Sequence, residues 1–346
     1  MTLRAEIGET ASAVAHLVEA AGPITEAIAS AARGRDLALV LIAARGTSDH
    51  AATYAQYVLG ARNRLPVALA APSLVSLYGH APDVARALVV GISQSGRSPD
   101  VVGVIDDARR QGALTVAVTN DPRSPLADAA ELTVALAAGP ELAVAATKTY
   151  VAELTAVALL SVALDAEPDP TATAALAALP AAVERALATE PDVARVARAH
   201  AAMDGCIVIG RGFQYATARE WSLKLKEVVG VFADPYSAAD FEHGPITLVG
   251  PGTQVLAAAT TGPALPGMVE LLERLLERGA HVLVASDDAA ARRLGRSALL
   301  LPEGVPEWLA PVTSIVPAQL FAYHLALAKG IDPERAPHLS KVTLTR

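Results

Sequence analysis

Three groups of residues in this chain have the types and spacing to do chemistry. The first is the run Val89-Val90-Gly91-Ile92-Ser93-Gln94-Ser95-Gly96-Arg97-Ser98-Pro99-Asp100. It reads as a buried strand, a hydroxyl-rich turn and a helix start, with Ser98 at the N-cap and Pro99 at the first helical position. Ser93, Gln94, Ser95 and Ser98 then surround the positive end of a helix, an uncharged cradle for a phosphate dianion. An ordinary strand-to-helix turn has the same pattern. The cradle gains weight from a similar turn upstream, Arg45-Gly46-Thr47-Ser48-Asp49-His50. The second group is Glu220, Lys224 and Glu227, which share one helix face beside an apolar stripe of Trp221, Leu225 and Val228. Spacing alone fits a solvated ion-pair stripe; the alternative is Glu227 as a base in a cleft with Lys224 as its partner. The third group is two loop residues. His243, before Gly244-Pro245, can exchange a proton near neutrality. Lys341, near the end of the chain, is ordinarily a solvated lysine, but in a closing tail it could form a Schiff base with a carbonyl. The eight histidines are scattered without metal-ligand spacing, so no metal site is expected.

These residues need elements to position them, and the chain supplies those elements twice. Arg45-Gly46 follows the apolar run Leu37 to Ala44, and 166 residues later Arg211-Gly212 follows Cys206 to Gly210. The same offset carries Gln94-Ser95-Gly96 onto Thr260-Thr261-Gly262 and Val116-Ala117-Val118 onto Val282-Leu283-Val284. It also carries Leu132-Thr133-Val134 onto Ala298-Leu299-Leu300. Short β-rich runs separated by helical segments imply parallel sheets with crossover helices, hence an α/β chain of two similar domains. The boundaries expected are 1–165 for the first domain, 166–203 for a helical connector and 204–346 for the second. Two amphipathic helices are expected in the connector, near 171–188 and 191–203, punctuated by Pro180 and Pro191. The repeats differ in chemistry. The second has Gly262-Pro263-Ala264-Leu265-Pro266 where the first has serines, so one phosphate site per chain is expected, in the first domain.

Composition bounds the function classes. Hydrophobic residues make up 52% of the 346 and aromatics 4%, so the core must be built from Ala, Val and Leu. A net charge of −8 leaves no general basic surface for nucleic acid. No apolar run is expected to span a bilayer, Leu154 to Leu164 being the longest candidate, and Met1-Thr2-Leu3-Arg4-Ala5-Glu6 lacks the apolar core of a signal peptide. One cysteine, Cys206, sits in an apolar run as a small core residue and suits the cytoplasm.

Taken in order, the segments resemble a known family. They are Arg45-Gly46-Thr47-Ser48, Ser93-Gln94-Ser95-Gly96, Glu141 through Thr149, Gly210-Arg211-Gly212-Phe213-Gln214-Tyr215, Glu220 through Glu227, His243-Gly244-Pro245 and Leu339-Ser340-Lys341. The chain resembles the sugar-isomerase (SIS) half of glucosamine-6-phosphate synthase and the related stand-alone amino-sugar-phosphate deaminases. The resemblance implies two SIS domains, each a flavodoxin-like three-layer sandwich. It implies Thr47, Ser48, Ser93, Gln94, Ser95 and Ser98 as sugar-phosphate ligands, and Val144 and Ala146 as backbone contacts to the sugar. It implies Glu227 as the base moving a proton between C1 and C2, with Lys224 and Glu220 in support. His243 would open the ring from a neighbouring subunit, hence a homodimer with shared active sites, and Lys341 would be the Schiff-base lysine. No cofactor is expected, because proton transfer alone moves the carbonyl. About 36 residues precede the first strand and Thr2 follows Met1, so no glutaminase domain is expected. Asp49-His50 and Arg97-Ser98-Pro99-Asp100 are similar to the deaminase branch. The expected reaction is glucosamine 6-phosphate to fructose 6-phosphate and ammonia. The alternatives are a galactosamine-6-phosphate deaminase, a deglycase of phosphorylated fructosyl-amines, or a non-catalytic sugar-phosphate sensor.

Overall fold

Apolar runs of five or six residues, too short for helices, become strands here. The computed structural model describes residues 2–335 and 340–341. Strands β1 (Leu39–Ala43), β2 (Val67–Leu69), β3 (Ala87–Ile92), β4 (Leu114–Thr119) and β5 (Leu132–Ala135) form one parallel sheet in the order β2-β1-β3-β4-β5. Strands β6 (Gly205–Gly210), β7 (Phe232–Ser237), β8 (Gln254–Ala258), β9 (His281–Ser286) and β10 (Ser297–Leu300) form a second parallel sheet in the order β10-β9-β8-β6-β7. Read from its other edge, the second sheet repeats the order of the first, as the internal repeat predicts. In each sheet the chain changes winding direction between its first and third strands, the topological switch point where such folds place ligands.

Small aliphatic residues fill both cores. Val101, Val104, Ile105 and Ala108 of helix Pro99–Arg110 pack on Val89 of β3, Ala117 of β4 and Leu126. Met268, Leu271, Leu272 and Leu275 of helix Leu265–Glu277 pack on Val255, Ala257, Val282 and Val284 in the same way. Cys206 is buried in β6, and desolvation pushes its thiol up to about 12, as befits a core residue.

The chain forms two compact units, neither continuous in sequence. The first-sheet unit comprises residues 9–141, 148–178 and the described tail residues Ser340 and Lys341. The second-sheet unit comprises residues 2–8, 142–147 and 179–335. The division therefore follows contacts across the expected boundaries: residues 2–8 and the loop 142–147 pack with the second sheet, and the connector divides after Ala178. The connector holds three helices where two are expected, Pro170–Ala177, Leu179–Leu187 and Glu190–Ala199. Pro180 lacks the N–H that would continue the first of them.

The expectation about apolar length needs correction. Helix Ala310–Ala328, of 19 residues, is long and apolar enough to cross a bilayer, and 89% of its most apolar window is buried inside the protein. Thr313, Ser314 and Gln319 interrupt the run in sequence, which hides its length. In the fold these residues are buried, so the helix is the core helix of its unit.

Candidate active site

In the first-sheet unit, the turns after β1 and β3 lie at the switch point. Ser98 occupies the N-cap of helix Pro99–Arg110 with extended backbone, but its hydroxyl makes no capping bond. Gly96 donates its N–H to both Ser93 O (3.2 Å) and Ser93 Oγ (3.1 Å), and Arg97 N–H goes to Ser95 Oγ at 3.3 Å. A serine hydroxyl that accepts from the backbone still has its own proton to donate. Ser93, Ser95 and Ser98 can thus each offer an O–H to an anion. Gly96 has φ +62°, and a Cβ there would lie 2.0 Å from Ser124 Oγ and 2.9 Å from Thr119 Oγ1. The turn therefore requires glycine for both conformation and space. Gln94 is partly buried, its carbonyl accepting Asn120 N–H at 3.1 Å.

Two features of the cradle differ from expectation. An ion pair adjoins it: Arg45 Nε lies 2.7 Å from Asp100 Oδ2, tying the first turn to the helix after the second. Ser48 also stands apart from the other hydroxyls. It starts helix Thr47–Asn63 beside the partly buried Thr47, and its hydroxyl donates to Glu153 Oε1 at 2.7 Å. Glu153 is 1% exposed. The sequence does carry a signal for it, a lone carboxylate inside the apolar helix Lys148–Ala163.

Lys341 Nζ is 3.0 Å from Glu141 Oε2, in the same unit. Glu141 also accepts the Thr149 hydroxyl (2.6 Å) and the Thr149 N–H (3.2 Å) at the start of helix Lys148–Ala163. The tail lysine is thus seated as an ammonium on a buried carboxylate. The neighbouring Leu339 of the expected tail motif lies outside the described residues.

In the second-sheet unit, β6 ends at Gly210, where a Cβ would come 2.1 Å from Gln214 O, so only glycine lets helix Gln214–Lys224 start so close. That helix runs into a π-helical turn, Leu225–Val229, closed by Gly230 with φ +71°. Residue spacing alone assumes regular α-helix and misses this turn; π-bulges recur at functional sites. Here the three expected residues meet. Lys224 Nζ lies 3.2 Å from Glu220 Oε1, 2.5 Å from Glu227 Oε2 and 3.1 Å from Ala146 O. Three ammonium donors face three acceptors. Glu220 and Lys224 side chains are 0% and 1% exposed, whereas that of Glu227 is 21% exposed. Burial opposes the Lys224 charge, but the Glu220 and Glu227 carboxylates outweigh it and hold its pKa above the ordinary lysine value. The group keeps one negative charge in surplus, with Glu227 the carboxylate open to a reactant. The apolar stripe of Trp221, Leu225 and Val228 is buried, as expected.

The loop 142–147 is anchored at three points. Glu6 accepts the N–H groups of Leu142 and Ala143, Lys224 holds the Ala146 carbonyl, and Gln319 Nε2 holds the Thr147 carbonyl at 3.2 Å. Val144, partly exposed, lies between the anchors. The sequence offers little sign of Glu6 or Gln319, which are far from the loop along the chain. His243 is exposed at the end of helix Ala238–Glu242, and no hydrogen bond joins its ring to Glu220, Lys224 or Glu227 among the described residues.

The corresponding turn of the second repeat is bordered by carboxylates. Thr261 N–H donates to Asp287 Oδ1 at 2.8 Å, and a Cβ on Gly262 would meet the Glu307 carboxyl carbon at 2.3 Å. Burial raises the Glu307 pKa against the opposing Ala264 N–H.

Two doubly wound repeats, one with a hydroxyl turn and one with a carboxylate–ammonium helix, define the class. The chain belongs to the SIS domain family, whose model matches residues 14–163 and 204–329. It is homologous to the isomerase half of glutamine–fructose-6-phosphate aminotransferase [isomerizing]. The Pyrococcus horikoshii protein of that name is 34% identical over 310 residues, covering 87% of this chain and 51% of that protein. The chain thus spans about half the length of the curated relatives it matches. Among solved structures, a candidate phosphosugar isomerase from Silicibacter pomeroyi DSS-3 is 35% identical with TM-score 0.87, covering 96% of this chain and 99% of that one. The C-terminal domain of glucosamine-fructose-6-phosphate aminotransferase from Francisella tularensis is 25% identical with TM-score 0.87, covering 96% and 97%.

Proposed function

We propose that this chain is an aldose–ketose isomerase of phosphorylated sugars and, within that class, an amino-sugar-6-phosphate deaminase acting on glucosamine 6-phosphate. The observation that carries the reading is the Glu220–Lys224–Glu227 group, in which a buried ammonium steadies one partly open carboxylate. Such a carboxylate is suited to carry a proton between adjacent carbons. The hydroxyls of Thr47, Ser48, Ser93, Ser95 and Ser98 and the amide of Gln94 would take the phosphate, and the loop carbonyls at Val144 and Ala146 would meet the sugar. His243 would open the ring, and its exposure is in keeping with service to a neighbouring copy in a cytoplasmic homodimer. Glu227 would take the C2 proton of the open 2-amino aldose and deliver it to C1, while the C2 amine loses a proton and the C1 oxygen gains one. The product is a 2-imine, which one water hydrolyses to fructose 6-phosphate and ammonia. The deaminase assignment within the isomerase class rests on the Asp49-His50 and Arg97-Ser98-Pro99-Asp100 motifs.

The test is incubation of the pure protein with glucosamine 6-phosphate in deuterated buffer. Deuterium at C2 of recovered substrate, together with free ammonia, is the expected result, and Glu227→Gln should show neither. Exchange without ammonia leaves the isomerase and removes the deaminase. Neither reaction, with the parent amine released instead from a fructosyl-amine phosphate, makes the chain a deglycase. Borohydride reduction in the presence of fructose 6-phosphate decides Lys341: covalent trapping at Lys341 requires a Schiff base, and no trapping leaves it a closing contact on Glu141.

A further inference from the structure

The second-sheet unit holds a cavity of about 600 Å³ where its strands begin, at the edge opposite the turn that leads to Lys224 and Glu227. Gln254, His281 and Ser297 are the first residues of β8, β9 and β10, and all three line it, with Arg296 and His200. Its hydrogen bonding is rich in donors. Arg296 Nη1 lies 2.8 Å from His281 Nε2. Guanidinium can only donate, so Nε2 accepts and the ring proton of neutral His281 sits on Nδ1. That nitrogen lies 3.1 Å from Gln254 Nε2, which donates to Gly252 O at 3.2 Å. His200 Nδ1, 2.9 Å from Val196 O, donates to that carbonyl, leaving Nε2 toward Ser297 Oγ at 3.3 Å. The remaining guanidinium N–H groups of Arg296 have no protein acceptor among the described residues. The one carboxylate at the rim, Asp204, is 93% exposed and held by Lys329 Nζ at 3.0 Å. The cavity is therefore a local positive site on a chain of net charge −8. Its walls are pinned by backbone bonds of 2.8 Å each, Gly252 N–H to Gly279 O, His281 N–H to Thr253 O and Arg296 N–H to Val282 O.

We propose that this cavity, built around Arg296, His281 and Gln254, binds a phosphorylated small molecule at a second site independent of the hydroxyl cradle. An oxyanion entering the cavity can accept from the guanidinium fork of Arg296, whose remaining N–H groups are open to it. The volume lies within the range of small-molecule sites and exceeds what a bare phosphate fills, leaving room for an organic body.

The experiment uses the full chain carrying Ser95→Ala and Ser98→Ala, so that binding at the cradle is weakened. Inorganic phosphate and glycerol 3-phosphate are titrated while the histidine ring nitrogens are followed by NMR. Saturable shifts of His200 and His281 with both probes are expected. Arg296→Met should weaken both by about tenfold or more, the loss of a charged hydrogen-bond donor. Arg296→Lys keeps the charge without the fork and should weaken them less, which covers the case that the methionine variant does not fold. Shifts that grow linearly without saturation, or equal affinity in folded Arg296 variants, would overturn the proposal.

Discussion

Lys224 divides two carboxylates by role. Glu220 is sealed with it at 0% exposure, so removing the ammonium strands a buried charge. Lys224→Met should cost about 3–5 kcal/mol, read as a lowered Tm and denaturant midpoint. Glu227, partly open, should behave in the opposite way: Glu227→Gln should abolish C2 exchange with little change in Tm. The Lys224 pKa is raised on folding, so its stabilisation is fully present below the unfolded lysine value and is lost as pH rises through the folded one. The stability gap between wild type and Lys224→Met should accordingly be constant at neutral pH and narrow in strongly alkaline buffer. A gap that widens there would mean the lysine is not charged in the folded protein. Cys206 gives a second test at this scale. With its thiol pushed up to about 12 and buried, it should resist a thiol reagent at neutral pH until denaturant is added.

At the scale of elements, the cradle is a turn whose backbone must be bent before its hydroxyls can converge. Gly96→Ala should cost at least about 1–2 kcal/mol for the left-handed conformation, and more because its Cβ would overlap Ser124. Reduced Tm together with lost affinity for fructose 6-phosphate is the expected outcome. The hydroxyls should not contribute alike. Ser95→Ala and Ser98→Ala should each weaken binding by about 1.5–3 kcal/mol in calorimetry, the range for a bond to a charged group. Ser48→Ala should weaken it less, because the Ser48 proton is already given to Glu153. Equal losses at Ser48 and Ser95 would show that Ser48 leaves Glu153 when the phosphate arrives.

At the scale of the whole molecule, the proposal that His243 serves a neighbour's site has a direct test. Mixing His243→Ala with Glu227→Ala, each inactive alone, should restore turnover once subunits exchange. Active species that sediment as monomers would sink the shared site.

The sequence by itself determined the two-fold repeat, the parallel sheets and the residue types of the cradle, because strands buried on both faces read as continuous apolar runs and strand-end turns need Gly, Ser and Pro. It determined that Glu220, Lys224 and Glu227 share a face, since helical spacing is local. It could not determine what each group touches. The π-helical turn under Glu227, the Ala146 carbonyl on Lys224, Glu6 on the loop amides and Glu153 on Ser48 join residues distant along the chain or break regular spacing. Whether a carboxylate is a solvated charge or a buried brace depends on desolvation and partners. Only the tertiary structure sets those, because burial comes from packing segments that local pattern does not bring together.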